Sequence, residues 1–222
     1  MFDERLKTAC KQKIADLSKG GFTMAKEQEN GWKKFIFSAL LEDKNATHKI
    51  AYIAMFVALN VVVNAIGTIS LGFVQFSLTL FVSALTGILI GPLFGFGACF
   101  LGDTLGYFVG HGGANGWTPW VGLSMGMAAV IAAVIVHAIP MKFKGAIYVK
   151  LGLVCVLTFL VCTYAINTTA AYYLWNSKGL DYTTFLWARM SLQIWNNLIN
   201  SVLLFVAVPA LSKIKALKLE IE

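Results

Sequence analysis

Between Ile50 and Leu211 the chain carries only seven charged side chains: Asp103, Lys142, Lys144, Lys150, Lys178, Asp181 and Arg189. A water-soluble domain has about a quarter of its residues charged. So sparse a set cannot build a water-facing surface, so lipid must be the solvent. Most other charges lie at the two ends of the chain, up to Lys49 and after Ser212, and only 13% of the 222 residues are charged while 58% are hydrophobic. The net charge of +7 reads as a cytoplasmic excess of Lys and Arg. No soluble segment shows a basic stripe interleaved with aromatics, which argues against a nucleic-acid partner.

Six apolar segments follow in order. The expected spans are 50–67, 78–90, 93–110, 118–139, 147–175 and 183–211. Since a helix needs about 20 residues to cross, the second is short unless the apolar connection 69–77 continues it. The second and third meet at Gly91-Pro92. Asn45 or Thr47 is expected to cap the first span. Residues 32–41, which mix Lys33 and Lys34 with Trp32, Phe35, Phe37 and Leu40, suit an interfacial helix on the inner membrane face. Met24 opens a stretch that reads as an alternative start. No cleavable signal peptide is expected, because the first apolar run begins late and is too long.

Six spans place both ends on one side. The N-terminal segment, Lys142, Lys144, Lys150 and the Lys residues after Ser212 fall there, against Lys178 alone on the other side. The positive-inside rule makes that side cytoplasmic. The expected fold is an all-α membrane protein, a six-transmembrane-helix bundle (48–212) with a cytoplasmic or interfacial N-terminal extension (1–47) and a cytoplasmic tail (213–222). The expected location is a bacterial cell membrane. There is no repeat, coiled coil or low-complexity tract.

Asp103 is the only acidic residue between Ile50 and Lys150. Charges inside membrane helices are costly and usually functional. Asp103 lies roughly 15 Å from the inner start of the third span, and Arg189 roughly 10 Å below the outer surface, at 1.5 Å per residue. The two depths are similar, which leaves two readings open: a structural ion pair, or a ligand pocket open to the outside. Arg189, Gln193 and Asn196 recur on one face of the last span, extended by Asn197 and Asn200. That face must turn inward. Asn167, Thr168, Tyr172 and Trp175 lie near the outer end of the fifth span. Phe73, Gln75, His111, Trp117 and Trp120 come from outer loops, and Tyr107 follows Asp103 by one turn. Interface belts enrich Trp and Tyr without any ligand, so part of this set needs no site.

Small residues recur at four-residue spacing: Ala54 and Ala58; Gly91 and Gly95; Gly102, Gly106 and Gly110; Gly122 and Gly126. Such spacing lets helix backbones approach closely. Gly122-Leu123-Ser124-Met125-Gly126 also matches the GxSxG serine motif of intramembrane rhomboid proteases. A serine nucleophile needs a base within reach. His137 is 13 residues farther along the same helix, roughly 20 Å away, which leaves only His111, so packing is the simpler reading and no enzyme is expected. Cys99, Cys155 and Cys162 lack metal-ligand spacing, and neither metal nor cofactor is expected. No phosphate-binding GxxxxGK[ST] loop occurs, so the chain does not hydrolyse ATP by itself.

Several segments together resemble the substrate-binding S components of energy-coupling factor (ECF) vitamin transporters. They are Ala54-x-x-x-Ala58, ALTGILIGPLFGFGACFLGDTLG, GWTPWVGLSMGMAAVIAAVI and INTTAAYYLWNSKGLDYTTFLWARMSLQ. The last two are most similar to the folate-specific FolT branch, with its Asn-Thr pair ahead of an Arg, matched here by Asn167-Thr168 and Arg189. The resemblance implies that a vitamin binds at the external face. It implies that Ala54 and Ala58 dock on the membrane scaffold EcfT, and that two ATPases drive toppling of the subunit. A pterin's paired N–H donors would suit Asp103, its ring would stack on Tyr107, Trp117 or Trp175, and Arg189 would meet an oxygen. Riboflavin, a thiamin precursor or a queuosine precursor would find the same groups serviceable. The alternative of another class is a ligand-free structural or assembly membrane protein.

Overall fold

A computed structural model describes residues 41, 45–66, 68–71, 74–110, 117–139, 145–176 and 179–213. The elements are α1 (Ala46–Ile66), β1 (Thr68–Leu71), β2 (Val74–Ser77), α2 (Thr79–Ile90), α3 (Pro92–Gly110) and α4 (Pro119–Ala138). Then come α5 (Ala146–Thr158), a π-helical segment (Phe159–Thr168), α6 (Thr169–Trp175) and α7 (Tyr182–Ser212). α5, the π segment and α6 form one apolar stretch, so five stretches are long enough to cross a membrane and α2 is a shorter apolar helix. The six expected spans are thus recognisable.

Three expectations need correction. The connection 69–77 is not a plain apolar link: β1 and β2 pair antiparallel, with Thr68 opposite Ser77 and Leu71 opposite Val74. Period-2 alternation over four residues is too short a signal to separate from a loop. The first span begins at Ala46 rather than at Ile50; of the two cap candidates Asn45 is the one that precedes it, and its carbonyl accepts from Lys49 N at 3.0 Å. The fifth span is not a uniform α-helix, because ten residues wind as π-helix. Of the expected interfacial helix 32–41, only Leu41 is among the described residues.

α2 is the hub. It is apolar all round, as a helix surrounded by protein must be, and nine of its 12 residues are buried. Ala84 and Ile88 pack with Ala132, Ile135 and Val136 of α4, Leu151 and Val154 of α5, and Leu204 and Val208 of α7. Leu89 and Ile90 pack with Leu41, Phe56 of α1 and Ala98 of α3. Leu80 joins Ala128 and Cys162. Gly91 ends α2 because it holds φ 100°, ψ 170°, a conformation open essentially to glycine alone. Pro92 then opens α3 with its fixed φ and missing N–H, both suited to a first helical turn.

Glycines set how close the helices come. A Cβ on Gly87 would lie 2.0 Å from the Ala129 carbonyl oxygen, and one on Gly102 would lie 2.4 Å from Asn60 Cβ. The Gly102, Gly106 and Gly110 ladder meets Asn60, Asn64 and Ala65 of α1 in turn. Large apolar side chains such as Phe108, Trp187, Trp195 and Val206 face outward, as lipid-facing surfaces do.

Candidate functional site

Asp103 lies on α3 where α1 and α4 converge, and it is buried. Asn64 Nδ2 donates to Asp103 Oδ1 at 2.8 Å and to the Asp103 carbonyl at 3.1 Å. Trp117 Nε1 donates to Oδ2 at 3.4 Å, and the Trp117 ring meets Phe100 edge-on at 6.3 Å. Gly122 leaves room for this arrangement, since a Cβ there would stand 3.4 Å from Oδ2. Gly122 is in the first turns of α4, whose N-terminal end carries the positive pole of the helix dipole.

Arg189 is half-buried on α7, and its Nε is buried without a hydrogen-bond partner. Among the described residues no ion pair joins Asp103 to Arg189: the Asp103 oxygens are engaged by Asn64 and Trp117. The structural ion pair is therefore not formed.

The polar face of α7 divides in two. Its inner part is used by the fold. Asn196 Oδ1 accepts from Ser77 N at 2.9 Å, and Asn200 Oδ1 accepts from Phe81 N at 2.9 Å while its Nδ2 donates to the Ser77 carbonyl at 2.8 Å. These amides satisfy backbone groups at the start of α2, where the helix's first N–H groups have no partner of their own. Gln193, half-buried one turn from Arg189, has no such assignment.

Asn167 and Thr168 close the π segment. Asn167 Oδ1 is buried with no hydrogen-bond partner. Thr168 is fully buried and donates to the Thr163 carbonyl at 2.8 Å, so its hydroxyl is consumed within its own helix. The wider π turn frees carbonyls, which is one reason π segments gather at functional sites. Thr118 Oγ1, at the N-cap of α4, is also buried without a partner. Among the described residues, Thr118, Asn167 and Arg189 thus each keep a buried polar atom unpaired, as do Ser83 and Thr163. Unpaired polar atoms are uncommon in folded interiors and more costly in lipid.

The aromatic candidates separate likewise. Tyr107 is half-buried and meets Phe108 edge-on at 5.7 Å. Trp120 is 52% exposed. Tyr172 packs against Tyr182 at 5.1 Å and Phe185 at 5.6 Å, which joins the outer ends of the last two spans. Phe73 and His111 lie outside the described residues. Gln75 is placed only by its backbone, in β2 opposite Ser70, and Trp175 only as the last residue of α6. Ala54 and Ala58 stand on an exposed face of α1 with Ala51, Met55 and Val62.

Asn60 and Asn64 were not singled out from the sequence. The signal was available: two amides four residues apart in an otherwise apolar stretch share a face and must find partners within the protein. Asn60 Nδ2 donates to Thr86 Oγ1 at 3.0 Å and to the Phe56 carbonyl at 2.8 Å.

Ser124, the serine of the GxSxG match, is fully buried and donates to the Cys162 carbonyl at 3.3 Å. Gly126 and Gly122 lie against the rings of Phe96 and Phe100. His137 Nε2 meets the Ile88 carbonyl at 2.8 Å, so it serves the end of α2. Lys150, counted from the sequence among the basic residues of the cytoplasmic side, does not simply face water. It is instead buried and donates to the Val136 carbonyl at 3.1 Å, at the C-terminal end of α4, where carbonyls lack partners and a cation is favoured.

The family described as the substrate-specific component of ECF transporters matches residues 48–212. A solved structure of FolT bound with folic acid shares the fold at a TM-score of 0.56 and 16% identity, covering 71% of this chain and 89% of that one. A search of curated proteins found no significant sequence match. With more than half of its length matched, this membrane chain belongs to the substrate-specific components of ECF transporters, which are binding subunits of importers and not enzymes.

Proposed function

We propose that the chain captures a vitamin, folate in the first place, at the external face of a bacterial membrane and releases it inward when docked on an energising module. The observation that carries the ligand reading is that the two membrane charges do not neutralise each other. Asp103 is held by neutral donors and Arg189 Nε has no partner. A ligand with N–H donors at one end and an oxygen acceptor or carboxylate elsewhere would engage both. Folate has both. Asn167 Oδ1 and Thr118 Oγ1 add two buried atoms ready for polar ligand groups. Tyr107, Trp117, Trp120, Trp175, Phe73, Gln75, Thr168 and Gln193 complete the proposed site.

The hairpin of β1 and β2 supports an outward opening. Its open edges are tolerated only where they meet water or protein, so the end of the bundle that bears it should be wet. The Lys and Arg asymmetry, with Lys178 alone on the hairpin's side, makes that end external and both termini cytoplasmic. Ala54 and Ala58, exposed on α1, would let the helices of an EcfT-type scaffold approach closely. Two ATPase subunits would supply the energy, since this chain has no phosphate-binding loop.

The deciding experiment is quenching of tryptophan fluorescence in the purified protein, titrated with folate and then with riboflavin, thiamin and a queuosine precursor. Saturable quenching by folate at low micromolar levels or below supports the reading. Response only to another vitamin replaces the substrate and keeps the mechanism. Silence with all four, in folded protein, removes the vitamin reading.

A further inference from the structure

We infer that Asn64 is a positioning residue for the ligand: it fixes the Asp103 carboxylate so that Oδ2 faces an incoming N–H donor, and the Trp117 indole N–H holds that oxygen until the donor replaces it. This inference rests on the reading of Asp103 as a ligand group.

The two oxygens of Asp103 are held unequally. Oδ1 is bonded at 2.8 Å by Asn64, whose second amide hydrogen goes to the Asp103 carbonyl at 3.1 Å. Two bonds from one nitrogen fix both the side chain and its own backbone. Asn64 is itself held in place, because Gly106 has no side chain: a Cβ there would lie 2.7 Å from Asn64 Cβ and 3.2 Å from its Nδ2. Oδ2 has only the Trp117 bond at 3.4 Å, at the long limit for N–H···O. Asn64 sits on α1 within a helix-to-helix seam, whereas Trp117 precedes α4 in non-helical backbone and is half-buried. The longer bond, from the group outside the helix seam, is the one a ligand can replace at least loss. A buried carboxylate oxygen without a donor is costly, and Trp117 lowers that cost at Oδ2.

The test uses the full-length protein in detergent. Folate is compared with an analogue whose pterin 2-amino group is replaced by methyl, for wild type, Asn64→Leu and Trp117→Phe. Asn64→Leu should weaken folate about tenfold or more and weaken the analogue less, because the analogue keeps only the ring N–H of the donor pair and gains less from the fixed carboxylate. An equal loss for both ligands would show a merely structural role and overturn the inference. Trp117→Phe keeps a ring but removes the competing N–H, and does not touch the seam between α1 and α3. Because the Trp117 ring also belongs to the proposed site, this variant is read by its preference for folate over the analogue: that preference should stay at or above the wild-type value, and a tenfold fall in it would overturn the exchange even if Asn64→Leu failed to fold. Wild type that binds no folate would instead overturn the ligand reading itself, and the inference with it.

Discussion

Asn200 of α7 caps α2 from 119 residues away in the chain: its Oδ1 accepts from Phe81 N at 2.9 Å. Its Nδ2 returns a bond to the Ser77 carbonyl at 2.8 Å. The residue at the N-cap of α2 is Leu78, which makes no side-chain cap, so the last helix supplies what the local sequence lacks. Removing the amide strands a buried donor and a buried acceptor, at about 1–3 kcal/mol each. Asn200→Leu should therefore lower the thermal midpoint in detergent by several degrees. An unchanged midpoint would deny the cap its structural role.

Asp103 and Arg189 should act on ligand binding separately. Asp103→Asn keeps the shape but loses the charge-assisted acceptor, and should weaken folate by about 10- to 100-fold. Arg189→Met should weaken ligands that carry an acceptor or anion and should not mend the loss at Asp103. If the double variant bound better than either single one, the two residues would be partners after all. Equilibrium titration of all four proteins checks this.

Ser124→Ala should leave ligand uptake intact. The hydroxyl serves the Cys162 carbonyl, and its loss should cost only about 1 kcal/mol. Uptake by cells expressing the variant, set against the midpoint of the purified protein, measures both. Abolished uptake with normal folding would revive a chemical role for the serine.

Ala54→Trp or Ala58→Trp should spare binding and break assembly. Both positions are exposed on α1, so a large side chain meets no neighbour among the described residues. The purified variants should bind ligand like wild type yet fail to bring down the scaffold and ATPases. Normal co-purification would move the docking face elsewhere.

Asp181 caps α7 at its N-terminus, where it accepts from Thr183 N at 3.2 Å and from the Thr183 hydroxyl. These bonds, the hydroxyl first, hold its carboxyl below the ordinary aspartate value of 3.8. A carboxyl depressed on folding contributes stability above its unfolded value and loses it as pH falls through the folded one. Asp181→Ala should thus lower the midpoint at neutral pH, and the difference should shrink only below pH 3.8. A difference that did not vary with pH would mean the cap acts without its charge.

Much of this protein was written in the order of its residues. The scarcity of charge from Ile50 to Leu211 requires lipid as solvent and helices as spans. Gly91-Pro92 breaks the second span from the third, since φ 100° at Gly91 and a proline at N1 suit only a boundary. Small residues at four-residue spacing announce close seams. Asp103 stands out because a lone carboxylate in an apolar helix has few inexpensive roles. These signals are local: each depends on a residue and its near neighbours. The tertiary structure alone decided which polar groups meet. Asn196 and Asn200 looked like part of a ligand face and proved to serve the start of α2, while Asn64, unremarked in its own helix, holds Asp103. Lys150, one of the basic residues that set the expected orientation, is buried at the end of α4. The π winding before Thr169 leaves no periodic trace in side chains that are apolar all round. Hydrogen-bond partners that lie 39 or 119 residues apart are set by how the helices pack, and helical periodicity says only which face turns inward, not which atom waits there.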